Sequence, residues 1–512
     1  MDDSPTTFCC DTSAVVTPPS ATFRVDASQG IGSGHVRRCL VLAGALAADG
    51  WQIAFACCAG TKEAVPSLAQ SDFTYRVVPA GGEGLRALWD LAPGGCDLLV
   101  VDHYGLEASF ERSCRAWAKQ ILVIDDLADR LHECDILVDQ TPGRQANDYA
   151  GLVPGNCSVL AGSQFALLDP RFRRARERLG GPADRVQRVL VSFGGTDPAG
   201  ATLRVVEALA AAKLGAAVDI VLGTASDDAG RIRELAARLE PPAMLHIAVD
   251  DMAGLISQAD MAIGAGGVSA LERCCLGVPS VTITIADNQR KLADELARAG
   301  ATDNLGPVTE LSTSEIADAV AQLARSPARR LKMRAAALAV TDGLGAGRVR
   351  AACSPALLAK DGRPVQLRPA SMADAALMLA WQSTPGIRAY SRNPAAPLPA
   401  EHAEWMQRKL ADPGCIFQII VHDGRPVGVL RLDRLADGSY EISILVAAEA
   451  QNKKIGGAAL EAAKRLLPHA LIHATIHPDN LASIRMFERA GYRRAAEDWI
   501  LAPPSPARSF VS

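Results

Sequence analysis

The chain has 512 residues, 49% of them hydrophobic but only 4% aromatic, and a formal net charge of −4. This length implies two or three domains, each with its own core. The charge gives no case for a nucleic-acid or anionic-membrane partner, so any phosphate must be held by local positions.

Thirteen cysteines are scattered along the chain, some in adjacent pairs such as Cys57/Cys58 and Cys274/Cys275, without a C-x-x-C. They read as reduced, mostly buried thiols of a cytoplasmic protein, and no metal is expected. No apolar run reaches membrane length. Asp2 and Asp3 stand where a signal peptide would be basic, so residues 1–20 are expected to form a disordered tail.

The first structured unit, 21–165, opens on a strand ending near Asp26 and a glycine-rich turn: Arg24-Val-Asp-Ala-Ser-Gln-Gly-Ile-Gly-Ser-Gly-His35-Val-Arg-Arg38. Glycines at 30, 32 and 34 permit close approach to a ligand, and Val36, Leu40, Ala43 and Ala47 predict a helix starting near His35. Backbone N–H groups of such a turn point at an anion, and the positive end of a helix disfavours imidazolium, so His35 suits a general base. Alone, the motif is equally an ordinary corner with a surface histidine. Further strands are predicted at Gln52 to Cys57, Tyr75 to Val78, Asp97 to Val101, Ile121 to Ile124 and Ile136 to Val138. Strands alternating with helical stretches imply a mainly parallel, doubly wound sheet. Acidic groups close two of them, at Asp102 and at Asp125-Asp126, where open α/β sheets bind ligands.

A second unit, 166–350, repeats the rhythm. Val189 to Phe193 predicts a strand, Gly194-Gly195-Thr196-Asp197-Pro198 a loop that could hold phosphate, and Ala201 to Leu214 a helix. Strands follow at Val218 to Gly223, Met244 to Val249, Met261 to Gly264 and Ser280 to Ile285. The run Gly264-Ala-Gly266-Gly267-Val-Ser-Ala-Leu-Glu272 lets a diphosphate approach a helix N-terminus, with a glutamate placed to accept hydrogen bonds from ribose hydroxyls. Asn288 and Gln289 offer amides for sugar hydroxyls without adding negative charge, although capping of a helix by Asp287 or Asn288 is an alternative role.

The rhythm stops between Arg348 and Pro364, and the linker is placed at 351–364. Residues 365–502 read as a smaller α+β unit: a strand at Val365 to Pro369, helices at Met372 to Trp381 and Glu401 to Ala411, and strands from Ile416 to Val446 turning at Asp423-Gly424 and Asp437-Gly438. A helix (Gly456 to Leu466), a strand (Ala470 to His477) and a helix (Leu481 to Ala490) complete it, and 503–512 form a second tail. The expected fold class is α/β, with two Rossmann-like lobes in a GT-B-like arrangement followed by the α+β domain.

Two resemblances sharpen this. The G-x-G-H and R-C-L run, the G-A-G-G…E-R…G-x-P run and Ala286-Asp-Asn288-Gln289, with Val101-Asp-His-Tyr104, Ile124-Asp-Asp-Leu-Ala-Asp-Arg130, Cys134-Asp-Ile-Leu-Val-Asp-Gln140 and Gly162-Ser-Gln-Phe-Ala-Leu-Leu168, resemble the UDP-sugar hydrolase family of pseudaminic acid biosynthesis over nearly all of 21–350. The resemblance implies release of UDP from UDP-2,4-diacetamido-2,4,6-trideoxy-β-L-altropyranose by C–O cleavage. The residues alone do not separate this from P–O cleavage. His35 is then the base for water, with Asp26 a weaker candidate for orienting it or contacting the sugar. Gly32, Gly34, Arg38, Gly194, Gly195, Thr196, Gly266, Gly267, Glu272, Asn288 and Gln289 are the substrate and UDP contacts.

Residues 365–502 resemble GNAT N-acetyltransferases, through Leu367-Arg-Pro369, Glu401-His-Ala-Glu-Trp405, Gly428-Val-Leu-Arg431, Glu441-Ile-Ser-Ile-Leu445 and Asn480…Gly491-Tyr492. That implies acetyl-CoA as co-substrate, held by Ile444, Gln451, Lys454, Gly456, Asn480 and Ser483, with Glu441 or His477 accepting a proton from the acceptor amine. Two positions depart from the pattern: Lys454 replaces the first glycine of the pyrophosphate loop, and Phe487 the usual tyrosine. A glycosyltransferase on the same scaffold and a non-catalytic nucleotide-sugar-binding protein are the competing classes.

Overall fold

The computed structural model describes residues 18–503 apart from 29–31, 80–84, 195, 196, 198, 224–227 and 497. Apolar runs of four to seven residues make the first sheet: β1 (Ser20–Val25), β2 (Gln52–Cys57), β3 (Thr74–Val77), β4 (Cys96–Asp102), β5 (Ala118–Ile124), β6 (Ile136–Asp139) and β7 (Ser158–Ala161). They pair in parallel in the order β3-β2-β1-β4-β5-β6-β7. The order reverses between β1 and β4, which opens a crevice beyond their carboxyl ends. The glycine-rich turn follows β1 and Asp102-His103-Tyr104 closes β4, so the fold brings these two segments to one place.

Helix α1 (Gly34–Ala47) packs on this sheet through Val36, Cys39, Leu42, Ala43 and Leu46, all buried with Phe23 and Phe55. The buried stripe is thus rotated from the one expected: Leu40 and Ala47 are only half-buried, and Leu40 faces a cavity.

The second sheet repeats the design with β8 (Arg188–Ser192), β9 (Ala217–Leu222), β10 (Met244–Ile247), β11 (Met261–Ala265), β12 (Ser280–Thr284) and β13 (Asp303–Pro307), in the order β10-β9-β8-β11-β12-β13. Its reversal lies between β8 and β11, so Gly194 and the Gly266-Gly267 turn flank its crevice.

The chain crosses between the lobes twice, near 162–168 and 341–345. Ser163 Oγ donates to the Val340 carbonyl at 2.6 Å, and Arg348 Nη1 donates to the Gln164 carbonyl at 2.9 Å. After the first crossing, α2 (Pro170–Arg176) buries Phe172 in the second lobe's core. Further along that lobe, α3 (Val268–Cys275) follows β11. After the second crossing, α4 (Gly345–Ala352) buries Ala346 and Val349 in the first lobe's core, beside Phe23 and Leu42. The last helix of the 166–350 segment therefore packs with the first lobe.

The third sheet is mixed: β14 (Val365–Pro369), β15 (Cys415–His422), β16 (Arg425–Arg434), β17 (Tyr440–Val446), β18 (Ile472–Ala474), β19 (Arg493–Ala495) and β20 (Asp498–Leu501), ordered β14-β15-β16-β17-β18-β20-β19. β17 and β18 run parallel but pair only at Tyr440↔Ile472 and Glu441↔His473, while β17 stays paired with β16 as far as Val446. Beyond Glu441 the two strands part, which is why the strand expected over Ala470 to His477 ends at Ala474. Helix α5 (Ile455–Leu466) packs on α6 (Leu481–Arg489) so closely that a Cβ on Gly456 would lie 2.5 Å from Met486 Sδ.

The second crossing is equally tight, since a Cβ on Gly345 would stand 2.2 Å from the Ala166 carbonyl oxygen. Backbone cannot yield there as a side chain can, so Gly345→Ala should cost about 1–3 kcal/mol of stability, read from urea unfolding. An unchanged midpoint would show that the two crossings separate without penalty.

Candidate active site

Between the two lobes lies a cavity of about 1260 Å³ whose walls include Gly32, Gly34, His35, Tyr104, Gly194, Gly266, Gly267, Glu272, Asn288 and Gln289. His35, on the first turn of α1, is only 8% exposed, and its Nδ1 lies 2.6 Å from Asp102 Oδ1 at the end of β4. A carboxylate on Nδ1 fixes the ring proton there and leaves Nε2, which has no hydrogen-bond partner among the described residues, as the basic nitrogen. Arg38 donates from Nε to Asp102 Oδ2 and from Nη2 to Oδ1, both at 2.6 Å, and from Nη1 to Asp126 at 3.0 Å. Burial pushes the Asp102 carboxyl up, but the charges and hydrogen bonds of Arg38 and His35 outweigh it and hold the group well below the usual carboxylate range. Tyr104 stands edge-on to the imidazole at 4.8 Å, donates to Asp126 at 3.0 Å, and accepts from Asn288 Nδ2 of the other lobe at 3.4 Å.

Opposite, α3 presents its N-terminus through Gly267, which is extended, and Gly266, where a Cβ would meet Ala293 Cβ at 3.0 Å. Glu272 lines the cavity from the second turn. Its carboxylate has no hydrogen-bond or ion-pair partner among the described residues, and burial raises it. Such a group is set to accept hydroxyl donors from a ligand. Gln289 is partly committed, accepting from the Ile285 N–H at 3.1 Å.

In the third domain, the parting of β17 from β18 leaves the β17 edge from Ile442 to Val446 unpaired on that side. Glu441, at the parting point, accepts from Thr475 Oγ1 at 3.2 Å and from Arg392. His477 is half-exposed, with its ring 5.4 Å from Tyr390. Gln451 Nε2 donates to the Val446 carbonyl, and Lys454 takes the left-handed conformation (φ +61°) directly before α5. The glycine-like geometry is thus kept at a lysine, with the strain a Cβ brings. Asn480 Oδ1 caps α6 by accepting from the Ser483 N–H at 3.1 Å. Phe487 is buried edge-on against Tyr492.

Residues 365–493 match the acetyltransferase (GNAT) domain family, and 189–345 match the glycosyltransferase family 28 C-terminal domain. The chain is 27% identical over 281 residues to the UDP-2,4-diacetamido-2,4,6-trideoxy-β-L-altropyranose hydrolase of Campylobacter jejuni, covering 54% of this chain and 96% of that one. It is 30% identical over 265 residues to the spore coat polysaccharide biosynthesis protein SpsG of Bacillus subtilis, covering 50% of this chain and 75% of that protein. The chain belongs to the family these two proteins share, the PseG-like family, with a GNAT domain fused behind it. An uncharacterized protein of Methanocaldococcus jannaschii, 21% identical over 491 residues, is matched across 93% of this chain and 98% of its own length, so the similarity spans both parts.

Within the PseG-like part, two of the expected site residues have partners of their own. Asp26, the weaker candidate for orienting water or contacting the sugar, is engaged within its own lobe: Arg24 grips it at 2.6 and 2.9 Å, the Cys58 N–H donates to it at 2.7 Å, and His103 Nε2 lies 3.2 Å away. The group that orients His35 is Asp102, at the end of β4, a role not assigned to it from the sequence. Arg38, 3% exposed, donates to Asp102 and Asp126 and so positions the histidine, while it also borders the cavity. Arg37, exposed and lining the same cavity, offers a second guanidinium of α1, one not singled out from the sequence. Gly194 lines the cavity at φ +92°, whereas Gly195 and Thr196 lie outside the described residues, and Asp197 caps the helix Ala201–Ala212 through its carboxylate. Among the described residues no group of three His, Cys, Asp or Glu side chains could hold a metal ion.

If Glu272 accepts ribose hydroxyls, Glu272→Ala should weaken UDP binding by roughly 1–3 kcal/mol. Calorimetric titration of the folded variant checks this, and an unchanged dissociation constant would remove the residue from the nucleotide site.

Proposed function

We propose that the PseG-like lobes hydrolyse UDP-2,4-diacetamido-2,4,6-trideoxy-β-L-altropyranose to the free sugar and UDP, in cytoplasmic pseudaminic acid synthesis. On the same reading, the GNAT domain uses acetyl-CoA to acetylate the 4-amine of the preceding UDP-4-amino sugar. The observation that carries the hydrolase reading is the buried Asp102–His35 pair, with Nε2 left to the cavity, opposite a glycine-bearing helix N-terminus and an unpaired glutamate.

In this mechanism Glu272 accepts the ribose hydroxyls, while the N–H groups opening α3, the glycine turn before α1 and Arg37 draw charge from the diphosphate. UDP so held leaves without needing a general acid. His35 Nε2 takes a proton from water as its oxygen bonds to the anomeric carbon. The C–O bond to the β-phosphate breaks, and Asp102 steadies the imidazolium that forms. Tyr104 and Asn288 close the cavity over the sugar. In the GNAT domain, unpaired N–H groups of β17 hold the thioester carbonyl, the Gln451–Gly456 loop holds the CoA pyrophosphate, and Glu441 or His477 accepts the amine proton.

The match to the glycosyltransferase family 28 C-terminal domain favours one alternative, transfer of the sugar to a hydroxyl acceptor in place of water. One incubation separates the readings: the whole protein with the UDP-4-amino sugar, with and without acetyl-CoA. With acetyl-CoA, free CoA, UDP and the diacetamido sugar should all appear. His35→Ala should stop at the acetylated UDP-sugar, its hydrolysis slowed ~10²–10⁴-fold while UDP still binds. Sugar release only after adding an acceptor would identify a transferase, and near-normal hydrolysis by folded His35→Ala would end the proposed role.

A further inference from the structure

The acetyltransferase domain is docked on both hydrolase lobes at once. On the second lobe, Glu177 follows α2 and is almost buried. Its Oε1 accepts from Arg173 Nε at 2.8 Å and from the hydroxyl of Tyr440, and its Oε2 pairs with Arg434 Nε at 3.2 Å. On the first lobe, Arg350 of α4 is 5% exposed and reaches both ways: Nη1 to Asp49 beyond α1 at 3.2 Å, and Nη2 to the Arg465 carbonyl of α5. Beside it, a Cβ on Gly347 would lie 3.3 Å from the Leu466 carbonyl, so α4 and α5 touch through backbone.

Both anchors sit next to the two crossings between lobes. Arg173 also donates to the Asp342 carbonyl at 3.3 Å, and Arg176 to the Cys275 and Thr341 carbonyls at 2.8 and 3.1 Å. A domain fastened to one lobe would ride with it. A domain fastened to both must lose or strain one seat if the lobes rotate, because packed interfaces have discrete arrangements and do not deform smoothly. The interlobe cavity itself extends to this seat, its far wall including Ser439, Tyr440, Leu467 and Leu471.

Tyr440 is the first residue of β17, and Glu441, where β17 parts from β18, is the next. The seat on Glu177 therefore fixes the strand on which the acetyl-CoA site is proposed to lie. In the same structure Asn288 meets Tyr104 across the cleft at 3.4 Å, so the arrangement that brings the lobes together is also the one in which the seat is filled.

From this we infer that the two active sites are coupled: a nucleotide bridging the lobes favours the filled Glu177–Tyr440 seat and thereby tightens acetyl-CoA binding, with the reciprocal effect of acetyl-CoA on the nucleotide. The inference rests on the assignment of the two sites made above. Full-length protein is titrated calorimetrically with acetyl-CoA, without and with saturating UDP. In the wild type, UDP should lower the acetyl-CoA dissociation constant about fivefold or more. Tyr440→Phe, which keeps the ring but loses the hydroxyl, and Glu177→Gln, which removes the charge facing Arg434, should each bring that ratio close to one. A wild-type ratio of one, or a ratio preserved in both variants, overturns the coupling. Failure of either ligand alone to bind the wild type overturns instead the site assignment beneath it.

Discussion

Asp102 is the constraint on which the arrangement of the first lobe's candidate site depends. A carboxylate this deeply buried persists only if its charge is matched and its oxygens are hydrogen-bonded, and Arg38 and His35 do both. Because α1 supplies both partners, the helix cannot turn or slide without unpairing them. The same arginine reaches Asp126 at the end of β5, Asp126 holds Tyr104, and Tyr104 meets Asn288 of the other lobe. A single buried charge thus sets the angle of the imidazole and the place where the lobes touch. The sign of its linkage to pH follows: the folded carboxyl sits below its unfolded value, so its stabilisation is present above the ordinary carboxylate range and fades as pH falls toward the folded-state value.

The two parallel sheets divide the chemistry by the same topological device. Each reverses strand order once, and each places glycines and a helix N-terminus at that reversal. One reversal carries the His35–Asp102 pair, the other the glycine turn and Glu272. The third sheet opens differently, by two parallel strands that separate after two paired residues. There the separation leaves a strand edge unpaired.

Much of this architecture was legible in the chain. Apolar strands alternating with helices gave the parallel sheets, and G-x-G-H and G-A-G-G…E marked the two reversals, because a ligand that approaches backbone requires glycine. The edge strands β7 and β13 were not legible, since Ser158–Ala161 and Asp303–Pro307 are short and carry no run of buried side chains. The partner of His35 was hidden for a different reason. Asp26 and Asp102 both end strands near the turn, and only the sheet order, with β4 beside β1, says which one faces the helix. The division between Arg37 and Arg38 is the same problem on a helix, where a rotation of 100° per residue leaves one guanidinium exposed and turns its neighbour onto buried Asp102. The docking of the GNAT domain had no sequence signal, because Glu177, Arg350 and Tyr440 acquire partners only through tertiary structure.

The central claim is that His35, held by Asp102, directs water to the anomeric carbon of a UDP-sugar. Turnover in oxygen-18-enriched water, with mass analysis of both products, tests it most directly. Label in the anomeric hydroxyl of the free sugar, with unlabelled UDP, is the result predicted. Label in the terminal phosphate of UDP would place the attack on phosphorus and contradict the account.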